Sequence, residues 1–524
     1  MRNFILGLTS LLPLAVLLFG SNQLLAQTWS DQVAQLTYDK CAKCHHTGGI
    51  APFSLTKHSE VVARAASIQN AITTGIMPPS PPDENYQQYA HSKSLSSAEK
   101  AVYLQWLSSG APEGNAGNTP PIPIFSDGSL LGNGDLEVKI PTYRSKASAV
   151  SDDYACFSIP SGLAQDRTIK WVEIIPGNRE IVHHALIFID PLGIELTDTI
   201  GGDCSSPANT TTKLIAAYIP GSDPLMLPSS DPLKLGFSMP ANSNVYFAMH
   251  YPDGSFGQAD STKVIFHFYP LGETGIREVF AESIIENWNF SLPANQITTV
   301  NAAYNQINID YSMLSVFPHM HLLGKTIKSY AIKPNADTLK FVSIPNWDFH
   351  WQGFYFFKKI QHLPAGSIIR AQGTYDNTTG NPNNPSNPPV LVIPGLNTKD
   401  EMFLIYFHYL PYIAGDETYD LEALMTAELT QLYQNESDTW TLAPNPFDQS
   451  TTISLKNVKP DDQVSVSVFD SQGQLVNRLC TASLGKQNLV WNGCYENGTP
   501  VAKGLYHFSV NVNGEFSHKA VVKQ

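Results

Sequence analysis

The stretch Ser315-Val-Phe-Pro-His-Met-His-Leu-Leu-Gly-Lys325 is an apolar, strand-like run that sets His319 and His321 two residues apart. At the strand period of two, both imidazoles leave the same face. Two imidazoles on one face can hold one transition metal. Three other short apolar runs carry similar donors. They are Ile181-Val-His-His-Ala-Leu-Ile-Phe188, Val245-Tyr-Phe-Ala-Met-His250 and Glu401-Met-Phe-Leu-Ile-Tyr-Phe407, which hold His183, His184, His250 and Met402. From Leu136 to about Leu429 such runs recur between Pro, Asn and Gly, and helical spacing is scarce. The pattern predicts two β-sandwiches, with a boundary near residues 275 to 285.

The chain has 524 residues, too many for one hydrophobic core, and 42% are hydrophobic. A net charge of -14 excludes nucleic acid and anionic lipid surfaces as expected partners. Residues 1–26 read as a signal peptide: Arg2, then the apolar run Phe4 to Phe19, then Leu24-Leu-Ala26. Export makes disulfides permissible.

Residues 27–115 read as a small helical domain. Cys41-Ala-Lys-Cys-His45 has the spacing for two thioethers to haem and a proximal His45 ligand. Met77, in Gly75-Ile-Met-Pro-Pro79, is the natural sixth ligand. His46 and His58 read as surface residues. Four cysteines remain, and their simplest pairing is Cys156 with Cys204 and Cys480 with Cys494. Residues 443–524 alternate as strands with Gly turns and predict a small Ig-like sandwich. No Ser-His-Asp triad, phosphate loop or paired-carboxylate signature stands out, and Asp376 and Glu401 read as turn and supporting residues.

Taken singly, the donors are ambiguous. Adjacent histidines in a strand point to opposite faces, so His183 and His184 can share a metal only at a twist or bulge. His250 ends a strand before Tyr251-Pro-Asp-Gly254, and Met402 alone reads as core packing.

Together they resemble the copper type II, ascorbate-dependent monooxygenases, the family of the peptide alpha-hydroxylating and dopamine beta-hydroxylating enzymes. The resemblance spans roughly residues 130 to 430. It is carried by His183-His184, His250-Tyr251, the His319 to Lys325 run, and Asp400-Glu-Met402 followed by Tyr406-Phe-His-Tyr409. Trp351-Gln352 and Asp376 to Pro382 add weaker likeness. It implies two jelly-roll-like copper domains, 126–278 and 279–432, facing across a solvent-filled cleft. His183, His184 and His250 would hold one copper; His319, His321 and Met402 would hold the other, where O2 oxidises a substrate C–H bond. Tyr406 keeps a position that can hydrogen-bond substrate or equally serve as a sandwich tyrosine, and His408 is a reserve ligand candidate that reads first as structural. Where the peptide-amidating relatives place an arginine for the substrate carboxylate, this chain has Phe317, so an apolar or aromatic substrate is expected.

Residues 27–115 resemble a small c-type cytochrome. Residues 443–524 resemble the C-terminal sorting domain of the type IX secretion system, on the Ala443-Pro-Asn-Pro-Phe447 opening, the Asp470-Ser-Gln-Gly473 turn and the Gly504-Leu-Tyr506 strand. The expectation is a mainly β, multidomain, secreted or surface-held copper monooxygenase with two copper ions and one covalent haem c. Its partners would be O2, a C–H substrate, ascorbate or another reductant, and the type IX machinery. The alternative is a surface electron-transfer haem and copper protein that oxygenates nothing.

Overall fold

The computed structural model describes residues 27–523 except 80, 124–128, 150, 201–210, 396–397, 438–439, 456–461, 471–474, 481–487 and 513–514. The expected signal peptide lies outside the described residues. The protein is mainly β, with several antiparallel sheets and a small helical N-terminal region. Of the described residues, 27–78 and 95–123 form one unit, and 79–94 and those from 129 onward form the other.

The first unit is built from helices Ala34–Lys40, His58–Val62, Ala65–Thr74 and Ser97–Ser108. The last starts at a capping box, in which the Ser96 hydroxyl accepts from Glu99 N and the Glu99 carboxylate accepts from Ser96 N. Its core is aromatic: Trp29, Tyr38, Tyr103 and Trp106 are buried together with Val33, Val61 and Ile72.

In the second unit, one sandwich pairs two sheets. The first runs in the order Leu136–Lys139, Lys263–Phe268, Arg167–Ile175, Leu233–Met239, Ile276–Glu278. The second runs Asp153–Pro160, Asn244–Tyr251, His184–Asp190, Lys213–Tyr218. The next sandwich pairs Phe280–Glu286, Leu404–Pro411, Tyr311–His319, Tyr355–Leu363 with Gln296–Tyr304, Ile368–Asn377, Gly324–Ile332, Thr338–Ile344. The chain passes from one sandwich to the other between Glu278 and Phe280.

Strand Asn244–Tyr251 is buried at every position after its first, so both of its faces are covered. Val245, Phe247 and Met249 enter the core of the first sandwich. Tyr246 and Ala248 face the other way and pack, with Tyr154 and Phe188, against Phe317, Phe354 and Tyr406 of the second sandwich. Strand Tyr311–His319 behaves likewise, with Met313 and Val316 in its own core and Phe317 at the inter-sandwich layer. The two sandwiches thus meet through two apolar sheet faces, as the near-continuous hydrophobic runs require.

Residues 79–94, which the sequence reading placed inside the 27–115 segment, pack on the second sandwich. Tyr89 pairs with Phe357, its hydroxyl donates to Phe341 O at 2.8 Å, and Ala90 N donates to Phe356 O at 2.8 Å. Tyr89 is buried there. After helix Leu421–Ser437 the chain enters a two-sheet C-terminal sandwich around Trp440, Trp491, Val466 and Phe508.

Candidate metal centres

His250 and His184 are direct cross-strand partners, and Tyr154 flanks His250 on its other side. All three share the face that packs against the second sandwich, since they are in phase with Tyr246, Ala248 and Leu186. His183 joins them because it lies just before the strand, which begins at His184. Its N–H donates to His250 O at 3.0 Å. A neighbouring pair that would diverge inside a strand therefore converges at a strand's entry.

The three histidines offer donor atoms within 4.8 Å of one another. Nitrogens around one ion at about 2 Å are separated by at most ~4 Å, so the cluster is within a small adjustment of ligation. His250 Nε2 donates to the Asp152 carboxylate at 2.9 Å, which leaves its Nδ1 lone pair free. That Nδ1 lies 3.2 Å from His184 Nδ1. His183 Nδ1 is buried with no hydrogen-bond partner in the protein. An orphaned buried nitrogen beside two inward-facing ones fits a metal, because such an atom otherwise carries its full desolvation cost.

Burial also keeps these rings neutral, the form that ligates. It holds His183 down at about 3, with the neighbouring His250 adding to the effect, and it holds His184 well below the usual imidazole range. Burial lowers His250 too, against the opposing pull of Asp152. Burial works to raise the Asp152 carboxyl, but the His250 hydrogen bond and charge and the Asp253 amide hold it below its ordinary value. Asp152→Ala is expected to weaken copper binding at this cluster roughly 10- to 100-fold, as loss of a ligand-orienting carboxylate does elsewhere. A Cu(I) titration against a competing chelator reads the change.

The second cluster forms at the end of strand Tyr311–His319. The strand stops at His319, so His321 lies in the following turn rather than on the same strand face. Its N–H donates to the buried Glu401 carboxylate at 2.9 Å; Leu323 N at 2.6 Å and Met402 N at 3.3 Å donate to the same group. One carboxylate thereby ties the His-x-His turn to the methionine. Burial pushes the Glu401 carboxyl up to about 8 against these three bonds.

His319 and His321 lie 5.1 Å apart, ring centre to ring centre, and His319 Nε2 is 3.2 Å from Met402 Sδ. The tautomers follow from the partners. His321 Nδ1 is 3.1 Å from Asp400 O, which can only accept. Gln352 Nε2 donates to Phe349 O, so its Oε1 is the atom that accepts from His319 Nδ1. His319 therefore turns an Nε2 lone pair toward the methionine, and the His321 lone pair is on its Nε2. The first cluster presents Nδ1 from His250 and the second presents Nε2, a distinction with no trace in sequence spacing. Burial brings His319 down to about 3, His321 adding to it.

A buried aromatic side chain stands near both clusters. The buried Phe349 ring lies 6.1 Å from His250, 6.5 Å from His184 and 5.6 Å from His321. Phe317 is buried too, packed on Phe354 at 4.9 Å and Tyr406 at 5.9 Å, so it belongs to the inter-sandwich layer. Tyr406 stands in that layer, paired across the strands with Phe317, and burial raises its phenol to about 12.

His408 is a core residue. It accepts or donates one bond with Ser315 Oγ at 2.9 Å, and it stacks on Phe354 at 4.1 Å. Burial takes it down to about 3. Because its unfolded value lies near 6.5, the stability gained by burying the neutral ring is complete above that pH and is lost as pH falls toward 3. The loss reaches about 2 kcal/mol by pH 5. His408→Phe should flatten this part of the acid limb in thermal unfolding of the metal-free protein.

In the first unit, Cys41 and Cys44 form no disulfide, and burial lifts the Cys41 thiol up to about 12. His45 Nδ1 lies 3.2 Å from Phe53 O, leaving an Nε2 lone pair, and burial lowers the ring. Met77 is 41% exposed on the loop after helix Ala65–Thr74, which Gly75 ends at φ +74°. His58 is half-buried rather than a surface residue. Its Nε2 bonds Ala111 O at 2.8 Å, and its ring packs 6.0 Å from Trp29. His46 is also half-buried, with Nδ1 2.8 Å from Ala42 O.

Cys156 is disulfide-bonded; Cys204, its expected partner, lies outside the described residues. The expected Cys480–Cys494 pair is not formed, and Cys494 is a free thiol. Asn477 donates to Cys494 O at 2.8 Å, which sets Cys494 opposite a residue three places before Cys480. Three strand residues span about 10 Å, beyond the reach of a disulfide.

Residues 283–435 match the family model of the copper type II ascorbate-dependent monooxygenase C-terminal domain, and this span contains His319, His321 and Met402. Residues 437–515 match the FlgD Ig-like domain. No curated protein matches the chain. Among solved structures, PorZ, a surface component of the type-IX secretion system of Porphyromonas gingivalis, is 17% identical over 26% of this chain, with a TM-score of 0.15. A beta-D-glucuronidase of Dictyoglomus thermophilum is 12% identical over 48% of it, with a TM-score of 0.14. The chain spans 15% and 44% of the lengths of these two proteins. With its three-histidine cluster, the chain has copper monooxygenase-like character in its second unit.

Sequence reading missed Asp152, Phe349 and His350. Asp152 stands next to nothing metal-like in the sequence and reaches His250 only through strand pairing. Gln352 was legible as part of Trp351-Gln352, without its role.

Proposed function

We propose that the protein is an exported copper-dependent monooxygenase that hydroxylates a substrate C–H bond with O2. The observation that carries this reading is the pair of clusters at one rim of the inter-sandwich layer, three imidazoles in one and two imidazoles with a thioether in the other. The second lies within the monooxygenase domain match. Copper bound to such donors supplies one-electron and O2 chemistry, the thioether favouring Cu(I).

The chain's own residues then have distinct tasks. Asp152 fixes the His250 tautomer, and Gln352 and Asp400 O fix those of His319 and His321. Glu401 holds the turn against Met402. Phe349 and the apolar inter-sandwich layer exclude water from the space between the clusters. Phe317 stands where the peptide-amidating relatives place a carboxylate-gripping arginine, which supports a substrate without a carboxylate anchor.

In the helical unit, Cys41 and Cys44 would form the thioethers, and His45 Nε2 and Met77 are the residues that would hold a haem iron. The Phe53 carbonyl on His45 Nδ1 fits that role. A haem there would relay electrons from a reductant toward the three-histidine copper. The signal-like N-terminus and the sorting-domain likeness of residues 443–524 support export through the type IX route to the cell surface or medium.

Copper and haem content per chain, measured on protein from a host that matures c-type haem, tests the reading. Two coppers and one covalent haem are expected, with O2 uptake coupled to product. Haem without copper, or reversible redox cycling with no product, would replace it with an electron-transfer role.

A further inference from the structure

The connection between strands Thr338–Ile344 and Tyr355–Leu363 belongs to the second sandwich, yet it touches the imidazoles of both clusters. Trp347 Nε1 donates to His321 O at 3.3 Å. Gln352 bonds His319 Nδ1 and is itself fixed by the Phe349 carbonyl at 2.6 Å. The Phe349 ring packs on His184, His250 and His321. The His350 ring lies 5.1 Å from His183, and its Nδ1 is tied to Asp348 at 2.9 Å. One short segment therefore contacts all five histidines of the two clusters, three of which come from the other sandwich.

We propose that Trp347–Gln352 is a positioning element that couples the two candidate metal centres, with Phe349 as the contact that transmits order from one to the other. The inference rests on the copper reading above. Ligation fixes the imidazoles of a centre, and fixed imidazoles confine the ring wedged against them. The entropy of ordering the segment is then lost once, at the first centre filled, and the second binds more tightly. Linkage requires the effect to be reciprocal.

The test uses the full chain and Cu(I). Met402→Ala keeps both second-cluster imidazoles but leaves that centre empty at limiting copper. The affinity of the three-histidine centre is measured in the intact chain and in Met402→Ala, with Phe349 and in the Phe349→Ala background. Emptying the second centre should weaken the first by about 5- to 10-fold when Phe349 is present, a coupling of ordinary size. In the Phe349→Ala background the weakening should vanish. Phe349→Leu, which keeps an apolar side chain, serves if the alanine chain does not fold. An unchanged affinity on emptying the second centre, or equal weakening in both backgrounds, overturns the proposal. Uptake of no copper at all would fell the functional reading, and this coupling with it.

Discussion

Under the proposed function, Met402→Ala should abolish O2-dependent hydroxylation and lower copper from two to one per chain at limiting concentration, with the spectrum of the proposed haem unchanged. Met402 Sδ stands 3.2 Å from His319 Nε2 and is the soft donor of its cluster. Its side chain is buried, so water reaches its place poorly. Removing an outer partner of a ligand costs 10- to 100-fold in metal affinity, and removing the ligand itself should cost at least roughly 100-fold. Copper content by elemental analysis, together with O2 uptake, checks the result. Two tightly held coppers and retained turnover would sink the assignment of this centre.

Glu401→Gln should be the most damaging substitution that touches no metal. Its two oxygens divide three buried amides: Oε2 takes His321 N and Met402 N, and Oε1 takes Leu323 N. Above about pH 8, where the Glu401 carboxyl is ionised and only accepts, a glutamine in its place must turn its NH2 toward one of those donors. A buried amide left without an acceptor costs about 1–3 kcal/mol, and the opposed donors add to it. The expected loss is about 2–4 kcal/mol in the second sandwich. The His319-x-His321 turn should also loosen, weakening copper there by roughly 10- to 100-fold. Denaturant unfolding and Cu(I) titration read the two effects separately. A fall in stability with unchanged copper affinity would mean that Glu401 supports the core alone.

Much of this was legible in the sequence because strands and donors are local signals. Apolar runs between Pro, Asn and Gly marked the sheets, and the donor types marked metal chemistry. Where the reading departed, a nonlocal contact decided. The 27–115 segment looked continuous, but Tyr89 buries on the second sandwich, and no local pattern distinguishes that aromatic from one in its own helical core. The Cys480–Cys494 pairing followed from parity, whereas Cys494 is a free thiol in the folded chain.

The amino-acid sequence by itself determined which side chains can ligate, and that they ride at the ends of buried strands, because those facts depend on residue type and a period of two. The tertiary structure alone decided how they act. Strand pairing brings His184 against His250, and the strand's late start lets His183 join them. Asp152, Gln352 and Asp400 O select which ring nitrogen faces inward. Phe349 lies against His184 and His250 of one cluster and His321 of the other. Hydrogen-bond partners and the packing of facing sheets are properties of residues far apart in the chain, so no spacing along it records them.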